Sequence, residues 1–158
     1  MPIIPADQFK SSLKPGIKLL GLDISKVSIG IAFADIETGI VTPVTIIERK
    51  RLKADAEKLS KLMAEYDAKS LIVGWPLNMD GTEGKRCQAV RDTVLELQKT
   101  LQSAKFVFWD ERLSTAVANN LVEEIGISGG KLRGKKVDNH AAMVILRSFL
   151  DEITPRTS

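Results

Sequence analysis

The chain has 158 residues, a formal net charge of +3, and a composition that is 44% hydrophobic and 27% charged. This is the make-up of one soluble globular domain, and at this length such a domain buries roughly 70% of its unfolded surface, so a sizeable core is expected. No apolar run approaches the roughly 18 residues of a membrane span, the segment Met1 to Phe9 lacks the pattern of a signal peptide, and the single Cys87 excludes both an intrachain disulfide and a cysteine zinc site. The expected setting is reducing and cytoplasmic.

Residues 1–16 carry three prolines and no lasting periodicity, and are expected to be a loosely ordered lead-in to a single domain. Residues 17–24, 29–35 and 40–48 read as three strands of a meander, with a short polar turn after Ile24 and a second turn at Glu37-Thr38-Gly39. Residues 52–66 follow helical spacing, with Leu52, Ala56, Leu59, Leu62, Met63 and Tyr66 on one face. Ser70 to Gly74 is a short, nearly all-apolar run, typical of a strand buried on both faces. The loop from Trp75 to Gly84 leads into a helix over about 85–103. Lys105 to Trp109 is a fifth strand, closed by Asp110-Glu111-Arg112-Leu113. Ser114 can N-cap a helix to about 125. Gly126 to Gly134 holds four glycines and reads as a mobile basic loop. The last helix spans about 138–152, with Ala142, Ile145, Leu146, Phe149 and Leu150 turned inward, and 153–158 form a tail. Three antiparallel strands followed by alternating helices and strands predict a mixed α/β sheet flanked by helices.

In open α/β sheets, function gathers at the strand ends. Asp23 stands where the first strand gives out, and Asp110 and Glu111 stand at the end of the fifth. Asp138 opens the last helix, in line with Ala141, Ala142 and Ile145 on its inward face. An acid on such a face needs a partner, and a metal ion is one. Cleavage of a phosphodiester by two metal ions needs several carboxylates converging around ions ~3.5–4 Å apart. Each acid also has a plainer reading: an Asx-turn for Asp23, a helix cap or an ion pair with Arg112 for Asp110 and Glu111, and an N-cap for Asp138. The sequence pI is near 9.0. Cations cluster at Arg49-Lys50-Arg51 with Lys53, and again at Lys131, Arg133, Lys135 and Lys136, where no acid intervenes between Gly126 and Val137. Such clusters either track a phosphate backbone or form a solvated face; the 49–53 cluster is read as solvated.

Four stretches together resemble the YqgF family of Holliday junction resolvases and pre-16S rRNA nucleases, in the RNase H-like superfamily. They are Gly21-Leu22-Asp23 with Ser28 to Ala32; Ile72 to Glu83 (IVGWPLNMDGTE); Asp110 to Thr115 (DERLST); and Lys136-Val137-Asp138 leading into Ala141-Ala142 and Ile145-Leu146. The match runs over residues 17–152. The resemblance implies an RNase H-like fold around a five-stranded sheet, and a metal-dependent nuclease using Mg²⁺ or Mn²⁺. Its catalytic and metal-holding acids by motif position are Asp23, Glu111 and Asp138, with Asp110 as the alternative to Glu111. Strand alternation sends Asp110 and Glu111 to opposite faces, so one of the two is the ligand.

The implied role is 5′-end maturation of precursor 16S rRNA during ribosome assembly, with ribosomal particles as possible partners. Cleavage of Holliday junctions is the alternative. Two departures stand out. The family's Gly and Lys at two and four residues past the first acid are Ser25 and Val27 here, and Lys26 is the nearest substitute charge. The further acid or His that related resolvases carry three residues from the last Asp is replaced by Ala141 and Lys135.

Nucleic-acid contacts are expected from Lys26, Asn78, Arg91, Arg112, Lys131, Arg133, Lys135 and Lys136. Trp75 and Trp109 flank strand ends, where an aromatic either stacks on bases or packs the core; core packing is the reading for Trp109. His140, the only histidine, falls two residues past Asp138 and is expected on the helix surface. Two other classes compete with the nuclease. A non-catalytic RNA-binding assembly module would bind RNA without turnover. An actin- or sugar-kinase-like ATP-binding protein would need two such domains, and 158 residues hold one.

Overall fold

The computed structural model describes residues 6–11, 13, 16–110 and 135–153. In chain order these form α1 (Ala6–Ser11), β1 (Lys18–Ile24), β2 (Ser28–Asp35), β3 (Val41–Glu48), α2 (Leu52–Tyr66), β4 (Ser70–Trp75), α3 (Lys85–Thr100), β5 (Lys105–Asp110) and α4 (Lys135–Ile153). The expected helix from Ser114 and the expected glycine-rich basic loop lie outside the described residues.

The five strands make one sheet in the order β3-β2-β1-β4-β5. β1 pairs antiparallel with β2 and parallel with β4, and β4 pairs parallel with β5. This is the expected mixed sheet, antiparallel on one side and parallel on the other. β4 is buried at all six positions, as a strand covered on both faces must be. β3 lies at the edge, where Pro43 is tolerated because it need not donate to a further strand. The turn after β2 closes on Gly39, which takes φ +73 and donates to the Asp35 carbonyl at 2.8 Å.

Strand alternation divides the core in two. Leu20, Leu22, Leu71, Val73 and Phe106 face α2 and α3. Leu19, Ile72, Val107 and Trp109 face α4 and α1. Part of the segment expected as a loose lead-in is helical: Phe9 of α1 is only 2% exposed, and its ring centroid lies 5.9 Å from that of Phe149. A single large side chain holds that helix to the core, which no periodicity in so short a stretch could signal. α3 ends at Thr100, three residues early, because Leu101 leaves helical geometry after donating to the Leu97 carbonyl. α4 begins at Lys135, so Asp138 lies within the helix and does not cap it.

Candidate active site

The C-terminal ends of β1, β4 and β5 lie along one edge of the sheet. The antiparallel register brings the start of β2 and the end of β3 to the same edge. Asp23 is the penultimate residue of β1 and pairs with Gly30. It shares a face with Leu19 and Gly21, the face covered by α4, and it is half-buried. Gly21 sets how closely that helix sits. A Cβ at position 21 would lie 2.5 Å from Leu146 Cγ and 2.9 Å from the Ala142 carbonyl oxygen. Glycine is needed here for space, since the helix backbone rests on the strand. Asp138 precedes Ala142 by four residues, about 6 Å along the helix axis, and Asp23 follows Gly21 by two, about 6.6 Å along the strand.

Asp110 ends β5 opposite Trp75. Alternation puts it with Phe106 and Phe108 on the α2/α3 face, across the sheet from Asp23. Glu111, Arg112, Lys131 and Arg133 lie outside the described residues. Lys135, Lys136 and Asp138 are on α4, and their side chains are likewise outside the described part. Among the described residues no three His, Cys, Asp or Glu side chains are grouped to hold a metal ion.

The other expected contact residues fall into two places. Lys26 is exposed in the β1–β2 turn. That turn is closed by Ser25, whose N–H donates to the Ser28 carbonyl at 2.9 Å while its hydroxyl accepts from the Ser28 N–H at 3.1 Å. Serine stands here where the family pattern has glycine, and Val27, where that pattern has Lys, is 73% exposed.

Asn78 and Arg91 belong to the β4 end. Asn78 staples its own loop: its N–H donates to the Thr82 carbonyl at 2.9 Å, and its side-chain amide to Thr82 Oγ1 at 3.0 Å. Gly84 lies against that amide, where a Cβ would come within 3.2 Å. Arg91 pairs with Glu83 at 2.8 Å and sits 5.0 Å from the Trp75 ring centroid, a cation–π distance. Trp75 in turn stacks on Phe108 at 4.3 Å and is 8% exposed. Trp109 is core, as expected, with its indole N–H donating to Ser148 Oγ at 3.0 Å. His140, expected on the helix surface, is half-buried. Burial lowers its pKa below the usual 6.5, and among the described residues its Nε2 meets no hydrogen-bond partner.

Arg49 was read from the sequence as part of a solvated cluster. The structure turns it inward. Its Nη1 donates to the Ser25 carbonyl at 2.6 Å and its Nη2 to Thr93 Oγ1 at 3.3 Å. Arg86 Nη2 lies 3.5 Å from the Ile24 carbonyl. The available signal was the meander itself. Three strands of seven or eight residues return the chain after β3 to the first turn, where the Arg49 N–H bonds the Val27 carbonyl.

Two solved resolvases share this mixed sheet and its flanking helices. The RuvC of T. thermophilus, solved in complex with a Holliday junction substrate, has this fold (TM-score 0.56 at 9% identity, covering 86% of this chain and 95% of that one). So does the yeast mitochondrial Holliday junction resolvase Ydc2 (TM-score 0.54 at 11% identity, covering 92% and 82%). A family model described as "RuvX: Holliday junction resolvase" matches residues 17–152. A protein of Methylocella silvestris named "Putative pre-16S rRNA nuclease" is 40% identical over 151 residues, covering 96% of this chain and 92% of its own. A protein of the same name from Caulobacter vibrioides is 38% identical over 154 residues, covering 97% and 98%. The chain belongs to the RuvX (YqgF) family of nucleases, hydrolases that cut phosphodiester bonds.

Proposed function

We propose that this protein is a divalent-metal-dependent endonuclease that cuts structured nucleic acid, with the 5′ end of precursor 16S rRNA as its substrate. The observation that carries the reading is the position of Asp23, half-buried at the end of the central strand, on the face where Gly21 admits α4 to direct contact. The names of the bacterial relatives favour the rRNA substrate. The family description supports branched DNA as the second reading.

In this reading Asp23, Glu111 and Asp138 hold the cation; three hard carboxylate donors suit Mg²⁺ or Mn²⁺. When bound, the metal stabilises charge on the attacking and leaving oxygens of the phosphodiester. The chain does the positioning. Gly21 sets the height of α4, the helix that carries Asp138. Lys26 holds the substrate backbone at the first turn, and Arg112, Lys131, Arg133, Lys135 and Lys136 are further contacts to it. Asn78 and Arg91 shape the wall at the end of β4. Cys87, fully buried, is consistent with work in a reducing cytoplasm, and no described helix is long and apolar enough to cross a membrane. Ribosomal particles are the assembly on which such a nuclease would act.

The test compares cleavage of a precursor 16S 5′-leader RNA and a four-way DNA junction in Mg²⁺ and Mn²⁺. Loss of a groups' outer-shell support costs 10–100-fold at metal sites, so removing a ligand in Asp23→Asn should cost more than about a hundredfold in kcat, with the unfolding midpoint unchanged. Cleavage of the junction alone would replace the rRNA reading with the resolvase one. Metal-dependent cleavage that survives Asp23→Asn would overturn the site. RNA binding without turnover of either substrate would mark an assembly module.

A further inference from the structure

We infer that the cleft beside the β1–β2 turn is a phosphate subsite that grips the substrate backbone at the sheet edge where Asp23 lies, with Arg49, Lys85 and Arg86 as contact residues beside Lys26. The inference rests on the nuclease reading above and adds residues that reading does not use.

The cleft measures about 200 Å³ and lies between the turn, the end of β3 and the start of α3. Four of its lining residues are the cations Lys26, Arg49, Lys85 and Arg86, and none is an acid. Among the described residues no carboxylate pairs with any of the four. Four neighbouring positive charges repel one another, and in a concave site they focus a field that concentrates an anion. A solvated cluster would leave its long side chains free. Here Arg49 is half-buried and held by two elements, the turn through Ser25 and α3 through Thr93, whose hydroxyl is itself anchored on the Ala89 carbonyl at 2.9 Å. Arg86 leans on the carbonyl of Ile24. Two guanidinium groups are thus set on consecutive carbonyls directly after Asp23. Arg49 uses two of its five N–H donors in these bonds and keeps the rest for a ligand.

The chemistry selects the ligand. Guanidinium groups match the oxygens of a phosphodiester. No aromatic side chain lines the cleft, so it offers nothing for a base to stack on, and it reads backbone and not sequence. The rest of the wall is main chain and small or apolar side chains, with room for a phosphate and part of its sugar. Ile24 and Ser25 follow Asp23 at the end of β1, so the cleft opens at the same edge of the sheet as Asp23, from the α3 side.

The experiment measures binding of a labelled precursor 16S leader RNA and a labelled four-way DNA junction across a salt series. It compares the native chain with Lys85→Glu/Arg86→Glu and with a control of equal charge change on α2, Lys58→Glu/Lys61→Glu. All four residues are exposed, so folding is not at issue. The cleft variant should lose at least about tenfold in affinity, with the slope of log K against log salt shallower by about one to two. Its kcat at saturating RNA should stay near the native value, so that the loss appears in KM. The control should lose less than roughly threefold. Equal losses in cleft variant and control, no loss in the cleft variant, or a loss confined to kcat would each overturn the subsite while leaving the nuclease standing. A native chain that neither binds nor cuts either probe would overturn both readings together.

Discussion

The two faces of the sheet are covered in different ways. On one, α2 and α3 lie over large side chains such as Leu22, Leu71 and Phe106, and side chain meets side chain throughout. On the other, α4 crosses β1 at a glycine, and the Ala142 carbonyl and the Leu146 side chain come directly onto the strand. The first arrangement tolerates small shifts of a helix, because packed side chains can re-adjust. The second fixes the height of α4 by hard contact. The difference matters because Asp23 emerges on the second face, and the helix lying on it carries Asp138. The first face contributes the opposite charge: at the same edge, it presents the cations of the cleft.

Cutting an equal hole in each layer should separate the two faces most. Phe149 and Phe106 are both fully buried. Phe149→Ala and Phe106→Ala should each cost about 3–5 kcal/mol of stability, the usual range for emptying a buried phenylalanine site. They should differ in activity. Phe149 supports α4 through Trp109, whose ring meets it edge-on at 5.3 Å. Its loss should therefore lower kcat at temperatures where the fold persists, while Phe106→Ala leaves kcat near native. Denaturant melts paired with kcat on the same samples decide it, and equal effects on kcat would remove the distinction between the faces.

A smaller change sharpens the same point. Gly21→Ala adds one methyl group where Leu146 Cγ would be 2.5 Å away and the Ala142 carbonyl 2.9 Å away. Leu146 can turn aside, but the carbonyl belongs to the helix and moves only with it. Over-packing of this kind costs about 1–3 kcal/mol. The larger signature is functional, since raising α4 displaces the helix that carries Asp138 relative to the face on which Asp23 stands. Activity should fall further than stability alone accounts for, measured as kcat well below the melting temperature. Native kcat in a destabilised Gly21→Ala protein would show that the close approach serves packing only.

How far the sequence announced this arrangement depended on the kind of contact. The five strands, the antiparallel meander of the first three and the position of Asp23 are legible because they follow from local patterns: apolar runs in β1, β2 and β4, and turns after Ile24 and at Gly39. Phe9 was not, because one apolar residue in a six-residue helix has no period to betray it. Arg49 was misread for a related reason. Beside Lys50, Arg51 and Lys53 it looks like one more surface charge, and its partner Ser25 is 24 residues away. Trp75 lies between these cases. Its place at a strand end suits stacking on a base, yet Phe108 of β5 stacks on it and Arg91 of α3 sits over its ring, contacts between elements that no local pattern announces.

His140 offers the smallest and most specific probe of the α4 face. Desolvation lowers its pKa, so the folded protein holds that proton less tightly than the unfolded chain does. The sign follows by linkage. At pH above the unfolded value near 6.5 both states are neutral at this residue, and the full stability is present. As the pH falls below it, the unfolded chain takes up a proton that the folded protein resists, and stability declines until the folded pKa is passed. A single histidine changes stability by at most about 1.4 kcal/mol per pH unit, and a half-buried one by less. Since His140 is the only histidine, His140→Gln should flatten the fall in urea midpoint between about pH 7.5 and 5.5. On the α2/α3 face, Leu59→Ala should lower the midpoint at both pH values by the same amount and leave the slope intact. A slope unchanged in His140→Gln would mean that acid sensitivity in this range arises elsewhere, and that α4 admits water to the imidazole in solution.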